Sequence, residues 1–311
     1  NMQKYDVIIV GGACAGLSAG LYTARRALKT VILTKDIGGQ AAITTEIENY
    51  PGTGTILGPE LMNRFREQAE KAGAEIKMAE VQSIVKVGDE YVVKTLSEEF
   101  QAPAVILSFG LTHRKLNVPG EKELTGRGVA YCATCDGPLF RNKIVAVVGA
   151  GNSAVDAADY LSEIATKVYL LVRSESFKAD EIDLVEKVKN NPKIEIRYKT
   201  EITEFIGSNK LEKVKLNDSS ELELNGAFIE VGYATQTDFV KGLVDLDERN
   251  QIIVDNQGKT SAPGIFAAGD VTNSAFKQAV ISAGDGAKAA LSASSYVKKL
   301  KGLEDKPDWN K

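Results

Sequence analysis

The sequence is poor in cysteine and in long apolar runs, and each shortage excludes a class of protein. Three cysteines among 311 residues are too few to hold a small secreted domain together by disulfides. No apolar stretch approaches the roughly 18 residues that a membrane-spanning helix needs, so no membrane partner is expected. Residues 2–6 lead into a short apolar strand without the apolar segment of a signal peptide, and a cytoplasmic location is expected.

Positive charge and proline are also scarce. Lys and Arg total 38 against 42 Asp and Glu, which gives a net charge of -4. Proteins that bind nucleic acids normally carry a basic excess or patch, so no nucleic-acid partner is expected. Glycine, at 28 residues against 8 prolines, favours tight turns between strands and helices over disordered linkers. At roughly 150 residues per domain, the length predicts two domains.

Two segments share the pattern of an apolar strand, a glycine-rich turn, a helix and a second strand. The first covers residues 5–34 around the turn 11–16, and the second covers residues 144–172 around the turn 149–154. Such a turn binds the pyrophosphate of a dinucleotide, because glycine permits close approach and the helix N-terminus offers N–H groups. The predicted fold class is α/β, with two Rossmann-like, doubly wound, three-layer dinucleotide-binding domains.

The C-terminal region indicates how the two domains are connected. Residues 263–270 are typical of a buried strand, and an alanine-rich helix follows over about residues 278–297. A buried strand needs a sheet, and the first domain is its expected host. We therefore predict a discontinuous first domain, residues 1–115 and 247–311, with a second domain, residues 116–246, inserted in it.

Cys132 and Cys135 are separated by two residues and are the candidate catalytic pair. Cysteines at this spacing can close a disulfide that is readily reduced. A zinc site usually needs four ligands, and only Cys14 and His113, a residue expected at the surface, could add to the pair, so no metal is expected. In a thioredoxin-type motif the pair caps a long helix, whereas the Asp-Gly-Pro run 136–138 would end a helix here. The pair is therefore expected on a turn.

Asp136 directly follows this pair and is a candidate catalytic residue. Its carboxyl adjoins Cys135 and is placed to protonate a departing thiolate, an effect typically worth 10²–10⁴-fold in rate. The alternative interpretation is that Asp136 only begins a turn.

The motifs resemble those of the low-molecular-weight thioredoxin reductases. The run Cys-Ala-Thr-Cys-Asp-Gly at 132–137 is similar to the active-site signature of that family. Further similar runs occur in the family's order along nearly the whole chain, at residues 38–40, 45–52, 118–121 and 267–271. Residues 136–140 and 276–279 are also similar to the flavoprotein subunit of alkyl hydroperoxide reductase.

The resemblance implies FAD in the discontinuous domain and a nicotinamide nucleotide in the inserted domain, which carries the cysteine pair. The FAD contacts that it implies are Gly11, Gly12, Ala13, Gly16, Asp36, Gly39, Gln40, Asn49, Asp270, Lys277, Gln278 and Ala279. Asp270 suits hydrogen bonds to the ribitol hydroxyls, and the helix that follows directs its positive N-terminus towards the flavin. The family also implies that Cys135 faces the flavin, that Cys132 attacks the disulfide of thioredoxin or a thioredoxin-like protein, and that the enzyme is a homodimer.

The electron donor is less closely specified by the residues. The candidate contacts to the nicotinamide nucleotide are Gly149, Gly151, Asn152, Ser153, Arg173 and Lys178. An NADH site usually places an acid at the end of the strand 168–172, where this chain has Val172. Arg173 and Lys178 supply two cations for the phosphate of NADPH, fewer than the His-Arg-Arg-x-x-x-Arg run of the family's NADPH form. NADPH is the expected donor, bound weakly, with NADH or a protein donor such as ferredoxin as alternatives.

Three functions compete at this point. The first is an FAD-dependent disulfide reductase that passes electrons through Cys132 and Cys135 to thioredoxin or a similar small protein. The second keeps this disulfide chemistry but takes electrons from ferredoxin or NADH, or serves a peroxidase system. The third is a flavin redox sensor without turnover, and retention of both cysteines and Asp136 argues against it, because binding alone requires none of them.

Overall fold

The chain forms two compact units in the computed structural model, which describes residues 2–43 and 46–303; Thr45, part of the run 45–52, lies outside them. The first unit comprises Asn1–Leu111 and Thr235–Lys311, and the second comprises Thr112–Ala234. An antiparallel pair of short strands, β11 (Thr112–His113) and β20 (Tyr233–Ala234), closes the second unit where the chain enters and leaves it. The boundaries between the units thus lie at this pair, whereas the sequence analysis placed them after residues 115 and 246.

A parallel five-stranded sheet forms the centre of the first unit. In spatial order its strands are β21 (Ile265–Ala267), β10 (Ala104–Leu107), β2 (Val7–Gly12), β3 (Thr30–Ile37) and β6 (Glu75–Met78). Ile8, Ile9 and Ile32 are fully buried, as expected for strands covered on both faces. Strand β21 therefore joins the sheet of the N-terminal residues, as its apolar sequence predicted.

Helices and smaller sheets complete the first unit. Its helices are α1 (Cys14–Arg25), α2 (Gly39–Ala42), α3 (Gly58–Ala72) and α8 (Ala279–Leu300), with 3-10 helices at Asp238–Val240 and Gly269–Val271. A four-stranded sheet has the order β1 (Gln3–Lys4), β9 (Glu99–Ala102), β8 (Glu90–Thr95) and β7 (Val81–Val87). The two-stranded sheet pairs β4 (Glu46–Ile47) with β5 (Ile56–Leu57). No helix in the described part of the chain is long and apolar enough to cross a membrane.

The second unit repeats the central architecture. Its parallel sheet has the order β12 (Val129–Ala130), β19 (Gly226–Ile229), β13 (Ile144–Val148), β14 (Lys167–Val172) and β15 (Ile194–Tyr198). A three-stranded antiparallel sheet consists of β16 (Ile202–Ile206), β17 (Lys213–Leu216) and β18 (Glu221–Glu223). The helices are α4 (Glu121–Leu124), α5 (Ala133–Asp136), α6 (Asn152–Ile164) and α7 (Ile182–Lys189), with a 3-10 helix at Gly137–Phe140.

The N-terminal halves of α1 and α8 pack closely against each other. A Cβ atom on Gly286 would lie 2.0 Å from the carbonyl oxygen of Ala15, so only glycine fits there. The hydroxyl of Ser18 donates a hydrogen bond of 2.8 Å to the carbonyl oxygen of Ala283. This contact ties the last helix of the first unit to the helix that follows the first glycine-rich turn.

Replacing Gly286 with alanine is expected to destabilise the first unit. The added methyl group overlaps the α1 backbone, and overpacking of this kind typically costs about 1–3 kcal/mol, or several degrees in Tm. Gly284→Ala, in the same helix, is the matched control, because a Cβ there would meet no atom within 4 Å. Alanine is the better helix former, so this control is expected to leave Tm unchanged or higher. Equal Tm values for the two variants in thermal unfolding would contradict the proposed backbone contact.

Candidate active site

The candidate catalytic cysteines are joined by a disulfide in the second unit. The Cα atoms of Cys132 and Cys135 lie 5.3 Å apart, and the Cys135 amide donates a hydrogen bond of 3.1 Å to Sγ of Cys132, the N-cap of α5. Helix α5 ends at Asp136, and a 3-10 helix with Pro138 in its first turn follows. The pair therefore lies on a single helical turn and not at the start of a long helix. The Asp-Gly-Pro run predicted this early end of the helix.

The surroundings of the pair suit thiol chemistry. Cys135 is exposed to solvent, and Cys132 and Asp136 are half-buried. The Asp136 amide donates a hydrogen bond of 3.1 Å to the carbonyl oxygen of Cys132. Burial raises the pKa of the Asp136 carboxyl, which therefore holds its proton to a higher pH than an ordinary aspartate. A carboxyl with this property can act as a general acid towards a neighbouring thiolate.

A buried carboxylate fixes the segment that leads into the pair. Glu121 is only 3% exposed, and its carboxylate accepts hydrogen bonds from the Leu116 amide at 3.0 Å, the Asn117 amide at 2.6 Å and the Tyr131 hydroxyl at 2.7 Å. Burial raises the pKa of Tyr131 to about 12. Since Tyr131 directly precedes Cys132, this network connects the segment at 116–117 to the candidate catalytic cysteines.

His113 lies in β11 among aromatic rings. Its ring centroid is 4.8 Å from that of Tyr233 and 5.9 Å from that of Tyr131, and burial lowers its pKa. His113 is half-buried, because the pairing of β11 with β20 packs the imidazole against Tyr233. Among residues 2–43 and 46–303, no group of three His, Cys, Asp or Glu side chains is arranged to hold a metal ion.

The first glycine-rich turn needs its glycines. Gly11 has a φ of 110°, and a Cβ atom on it would lie 2.4 Å from the carbonyl oxygen of Ser108. A Cβ atom on Gly16 would lie 1.8 Å from the carbonyl oxygen of Gly11. The Gly12 amide donates a hydrogen bond of 2.9 Å to Oγ1 of Thr34. These glycines thus allow the backbone of the turn to pack closely against β3 and against the residue that follows β10.

A second group of FAD candidates adjoins this turn. The Gly39 amide donates a hydrogen bond of 3.0 Å to Oδ1 of Asp36. A Cβ atom on Gly39 would lie 3.2 Å from the Cβ of Ala13, the N-cap of α1. Gln40 follows in α2. The residues after β3 are therefore in contact with the turn, although they are separated from it in sequence by a helix and a strand.

The remaining candidates come from distant parts of the chain. The side-chain amide of Asn49 donates a hydrogen bond of 3.2 Å to that of Gln278, which is 229 positions later. Ala279 is the first residue of α8. Burial raises the pKa of Asp270 and lowers that of Lys277, and the two groups interact electrostatically. The structure therefore assembles the end of β21 and the start of α8 as one polar site.

Cys14, in the first turn, is a packing residue. It is buried, and its Sγ lies 3.6 Å from the sulfur of Met62. Burial raises the pKa of its thiol to about 12, so a thiolate is not available at neutral pH.

The second glycine-rich turn leaves open space next to α6. A Cβ atom on Gly149 would lie 2.2 Å from the carbonyl oxygen of Glu230, whereas a Cβ atom on Gly151 would meet nothing within 4 Å. Packing therefore requires the first glycine but not the second, which keeps the approach to Asn152 and Ser153 clear. A glycine at the second position is what close approach of a pyrophosphate requires.

The loop after β14 presents the two candidate cations. Arg173 and Lys178 are exposed, and neither forms an ion pair within the part of the chain that the structure describes. The carboxylate of Glu175 lies 2.6 Å from the ammonium nitrogen of Lys199. The Lys178 amide donates a hydrogen bond of 2.7 Å to the carbonyl oxygen of Ala150, which holds this loop against the second turn.

Comparison with known proteins assigns the family. Residues 5–286 match the model described as pyridine nucleotide-disulphide oxidoreductase. This chain belongs to that family. It is 40% identical over 307 residues to a thioredoxin reductase of Mycolicibacterium smegmatis, covering 96% of this chain and 98% of the relative. The Lactococcus lactis thioredoxin reductase structure has a TM-score of 0.85 and 39% identity, covering 95% of this chain and all of that one.

The name of a third relative indicates a different electron donor, ferredoxin. The structure of a ferredoxin-flavin thioredoxin reductase from Clostridium acetobutylicum has a TM-score of 0.55 and 32% identity, over 97% of this chain and 100% of that one. Together the matches confirm the resemblance to thioredoxin reductases and the α/β fold with two dinucleotide-binding domains. They also confirm the predicted class of enzyme: this oxidoreductase is an FAD-dependent disulfide reductase.

Glu230 is a residue of this oxidoreductase that the sequence analysis missed. It is half-buried and directly follows β19. Burial raises the pKa of its carboxyl to about 7, and a hydrogen bond with Ser153 acts in the opposite direction. The signal in the sequence is an acid within the otherwise uncharged run 226–231, Gly-Ala-Phe-Ile-Glu-Val.

Alkylation with iodoacetamide is expected to distinguish the three cysteines by their reactivity. In the native oxidised protein none of them should react with iodoacetamide, because two form the disulfide and Cys14 is buried with a raised pKa. After reduction, Cys132 and Cys135 should be modified while Cys14 stays protected. Mass spectrometry of the peptides measures this, and the reduced protein in denaturant, with all three modified, is the control. Modification of native Cys14 at the rate of the other two would show that the turn is open.

Proposed function

We propose that this enzyme reduces the disulfide of thioredoxin, or of a similar small protein, with electrons from NADPH that pass through FAD and the Cys132–Cys135 disulfide. The observation that carries the proposal is the disulfide itself, held on one helical turn with Asp136 next to it. The names of the relatives from Mycolicibacterium smegmatis and Lactococcus lactis support thioredoxin as the acceptor. The homodimer and the cytoplasmic location stay predictions from the sequence.

The first unit contains residues that fit FAD. Gly11 and Gly16 allow the close backbone packing of the turn at the N-terminus of α1, where the helix dipole would favour the negative charge of a pyrophosphate. Asp270 would accept hydrogen bonds from the ribitol hydroxyls. Gln278 and Ala279, at the N-terminus of α8, would bind the flavin edge that gains negative charge on reduction. When bound, FAD supplies the two-electron chemistry that links a hydride donor to a disulfide.

The second unit contains the residues that carry out thiol–disulfide exchange. The Cys132 thiolate attacks the disulfide of the partner and forms a mixed disulfide, which Cys135 then resolves. Asp136 donates a proton to the thiolate that departs. Its raised pKa supports this role, because the carboxyl must be protonated at the moment of transfer.

NADPH is the favoured donor because Arg173 and Lys178 are exposed beside the second turn and Val172 offers NADH no acid. Ion pairs at an exposed site are individually modest, so two cations predict weak binding. The likeness to a protein named ferredoxin-flavin thioredoxin reductase supports a second candidate, in which reduced ferredoxin replaces the nucleotide. Both candidates use the same cysteine chemistry.

The cysteine relay is tested without a natural donor. The purified protein is expected to contain about one FAD per chain, which dithionite reduces under anaerobic conditions. After excess dithionite is removed, oxidised thioredoxin should be converted to its dithiol by the wild type and by neither Cys132→Ser nor Cys135→Ser. Thioredoxin thiols and FAD absorbance are the two measurements, and both variants should retain FAD.

Asp136→Asn is the graded variant in this experiment. It should retain FAD and both cysteines but slow the reduction of thioredoxin about a hundredfold, because the general acid is lost. Near-full activity in either serine variant contradicts the proposed electron transfer through both cysteines. An unchanged rate in Asp136→Asn would show that Asp136 has only a structural role in the turn. A wild-type protein that lacks FAD, or does not reduce thioredoxin, contradicts the proposed function.

The donor is tested by the rate of anaerobic flavin reduction with NADPH, NADH and reduced ferredoxin. NADPH should act at a lower concentration than NADH, and Arg173→Ala should weaken NADPH about fivefold without affecting NADH, because only NADPH carries the 2′-phosphate. Lys210→Ala, at an exposed lysine in the loop between β16 and β17, is the control and should change neither.

Three results would change the assignment of the donor. Preference for NADH, or an Arg173→Ala variant that binds NADPH as the wild type does, shows that the phosphate site is wrong. Reduction by ferredoxin with no reduction by either nucleotide establishes the second candidate.

A further inference from the structure

The two units have the same strand order around their glycine-rich turns. In the first unit β2 lies between β3 and the later strand β10, and in the second β13 lies between β14 and the later strand β19. In open parallel sheets, ligands bind outside the carboxyl ends of the strands at this reversal of order. The residues that directly follow β10 and β19 therefore border the two dinucleotide sites.

Ser108 and Glu230 occupy equivalent positions in these two borders. The amide of each donates a hydrogen bond of 2.8 Å to a carbonyl oxygen of the central strand, β2 or β13. The carbonyl oxygen of each also packs against the first glycine of its turn. A Cβ atom on Gly11 would lie 2.4 Å from the Ser108 oxygen, and one on Gly149 would lie 2.2 Å from the Glu230 oxygen. The backbone is thus the same in both units, and only the side chains differ.

The side chain in the first unit is small and neutral. Ser108 is 3% exposed, and its hydroxyl lies 3.0 Å from the carbonyl oxygen of Val10 and 3.2 Å from that of Gly11. The Ser108 hydroxyl therefore hydrogen-bonds to the backbone, and this residue contributes no charge at the border of the site.

The side chain in the second unit is an acid. Glu230 is half-buried, and its charge is influenced by Ser153, the second residue of α6 and a candidate for contact with the nucleotide. An ionised carboxylate at this place repels the negative pyrophosphate. Burial raises the pKa of this carboxyl to about 7, so it is largely ionised in mildly alkaline solution.

We propose that Glu230 determines the strength of nucleotide binding: its carboxylate weakens NADPH and NADH alike, and its neutralisation makes the second unit a better nucleotide site. The inference rests on the proposed use of a nicotinamide nucleotide by this unit. Because the pyrophosphate is common to both nucleotides, the effect of Glu230 is independent of the 2′-phosphate and of Arg173.

Binding to the oxidised holoenzyme tests this proposal without turnover. Calorimetric titration with NADPH and with NADH at pH 8 should give affinities about tenfold higher for Glu230→Gln, which keeps the size of the side chain, and for Glu230→Ser, which copies Ser108. The gain should be the same factor for both nucleotides. Glu223→Gln, at an exposed acid on β18, is the matched control and should bind as the wild type does.

The dependence of NADH binding on pH adds an independent measurement. NADH is chosen because it lacks the 2′-phosphate, a group that itself titrates near pH 6. The other titratable groups that act on Glu230 or feel its charge are Asp156 on α6 and Tyr233 on β20, and Lys187 on α7 acts on Asp156. The wild type should bind NADH more weakly as the pH rises from 6 to 8, and this loss should be much smaller in Glu230→Gln.

Four outcomes overturn the proposal. They are an unchanged affinity in both variants, a weaker affinity, a gain confined to NADPH, and no measurable nucleotide binding to any variant. A weaker affinity would mean that the carboxyl accepts hydrogen bonds from the nucleotide. Failure of the proposed function appears elsewhere, as failure of the dithionite-reduced wild type to reduce thioredoxin, so the two hypotheses are separable.

Discussion

The close contact between α1 and α8 is the constraint on which the first unit depends. Gly286 lets the backbone of the last helix touch Ala15, and Ser18 bonds to Ala283 across the same contact. Because α8 begins only a few residues earlier, the contact also places Gln278 within hydrogen-bonding distance of Asn49. Small residues at one helix crossing therefore determine where the proposed flavin contacts from three parts of the chain meet.

The same scaffold supports two chemically different sites. Both units use a glycine-rich turn, a parallel sheet and a reversal of strand order, and in both the strand beyond the reversal closes on the first glycine. The charge at that border then differs, Ser108 in one unit and Glu230 in the other. One backbone thus carries a neutral side chain at this border in one unit and an acid in the other, which is the difference on which the proposed role of Glu230 rests.

The local features of the molecule were predictable because short runs of sequence determine them. The two strand–turn–helix segments, the end of α5 at Asp136 and the place of β21 in the first sheet all follow from periodicity and from glycine and proline. The buried acids were not predictable in this way, because burial is a property of contacts distant in sequence. Glu121 belongs to a run that looks like an exposed turn, and only the Leu116, Asn117 and Tyr131 donors show why it is buried. The partial burial of His113 was not predictable for the same reason, since its partner strand β20 lies far along the chain.

The division of the first unit between the two ends of the chain also bears on how the protein is made. The N-terminal strands of the parallel sheet are synthesised before the second unit, whereas β21 and α8 are synthesised after it. At about 5–20 residues per second, the intervening part of the chain takes on the order of ten seconds to produce. During this interval the second unit has all of its strands, whereas the edge of β10 and the apolar face under α8 are uncovered. The order of synthesis therefore completes the central sheet of the second unit before that of the first.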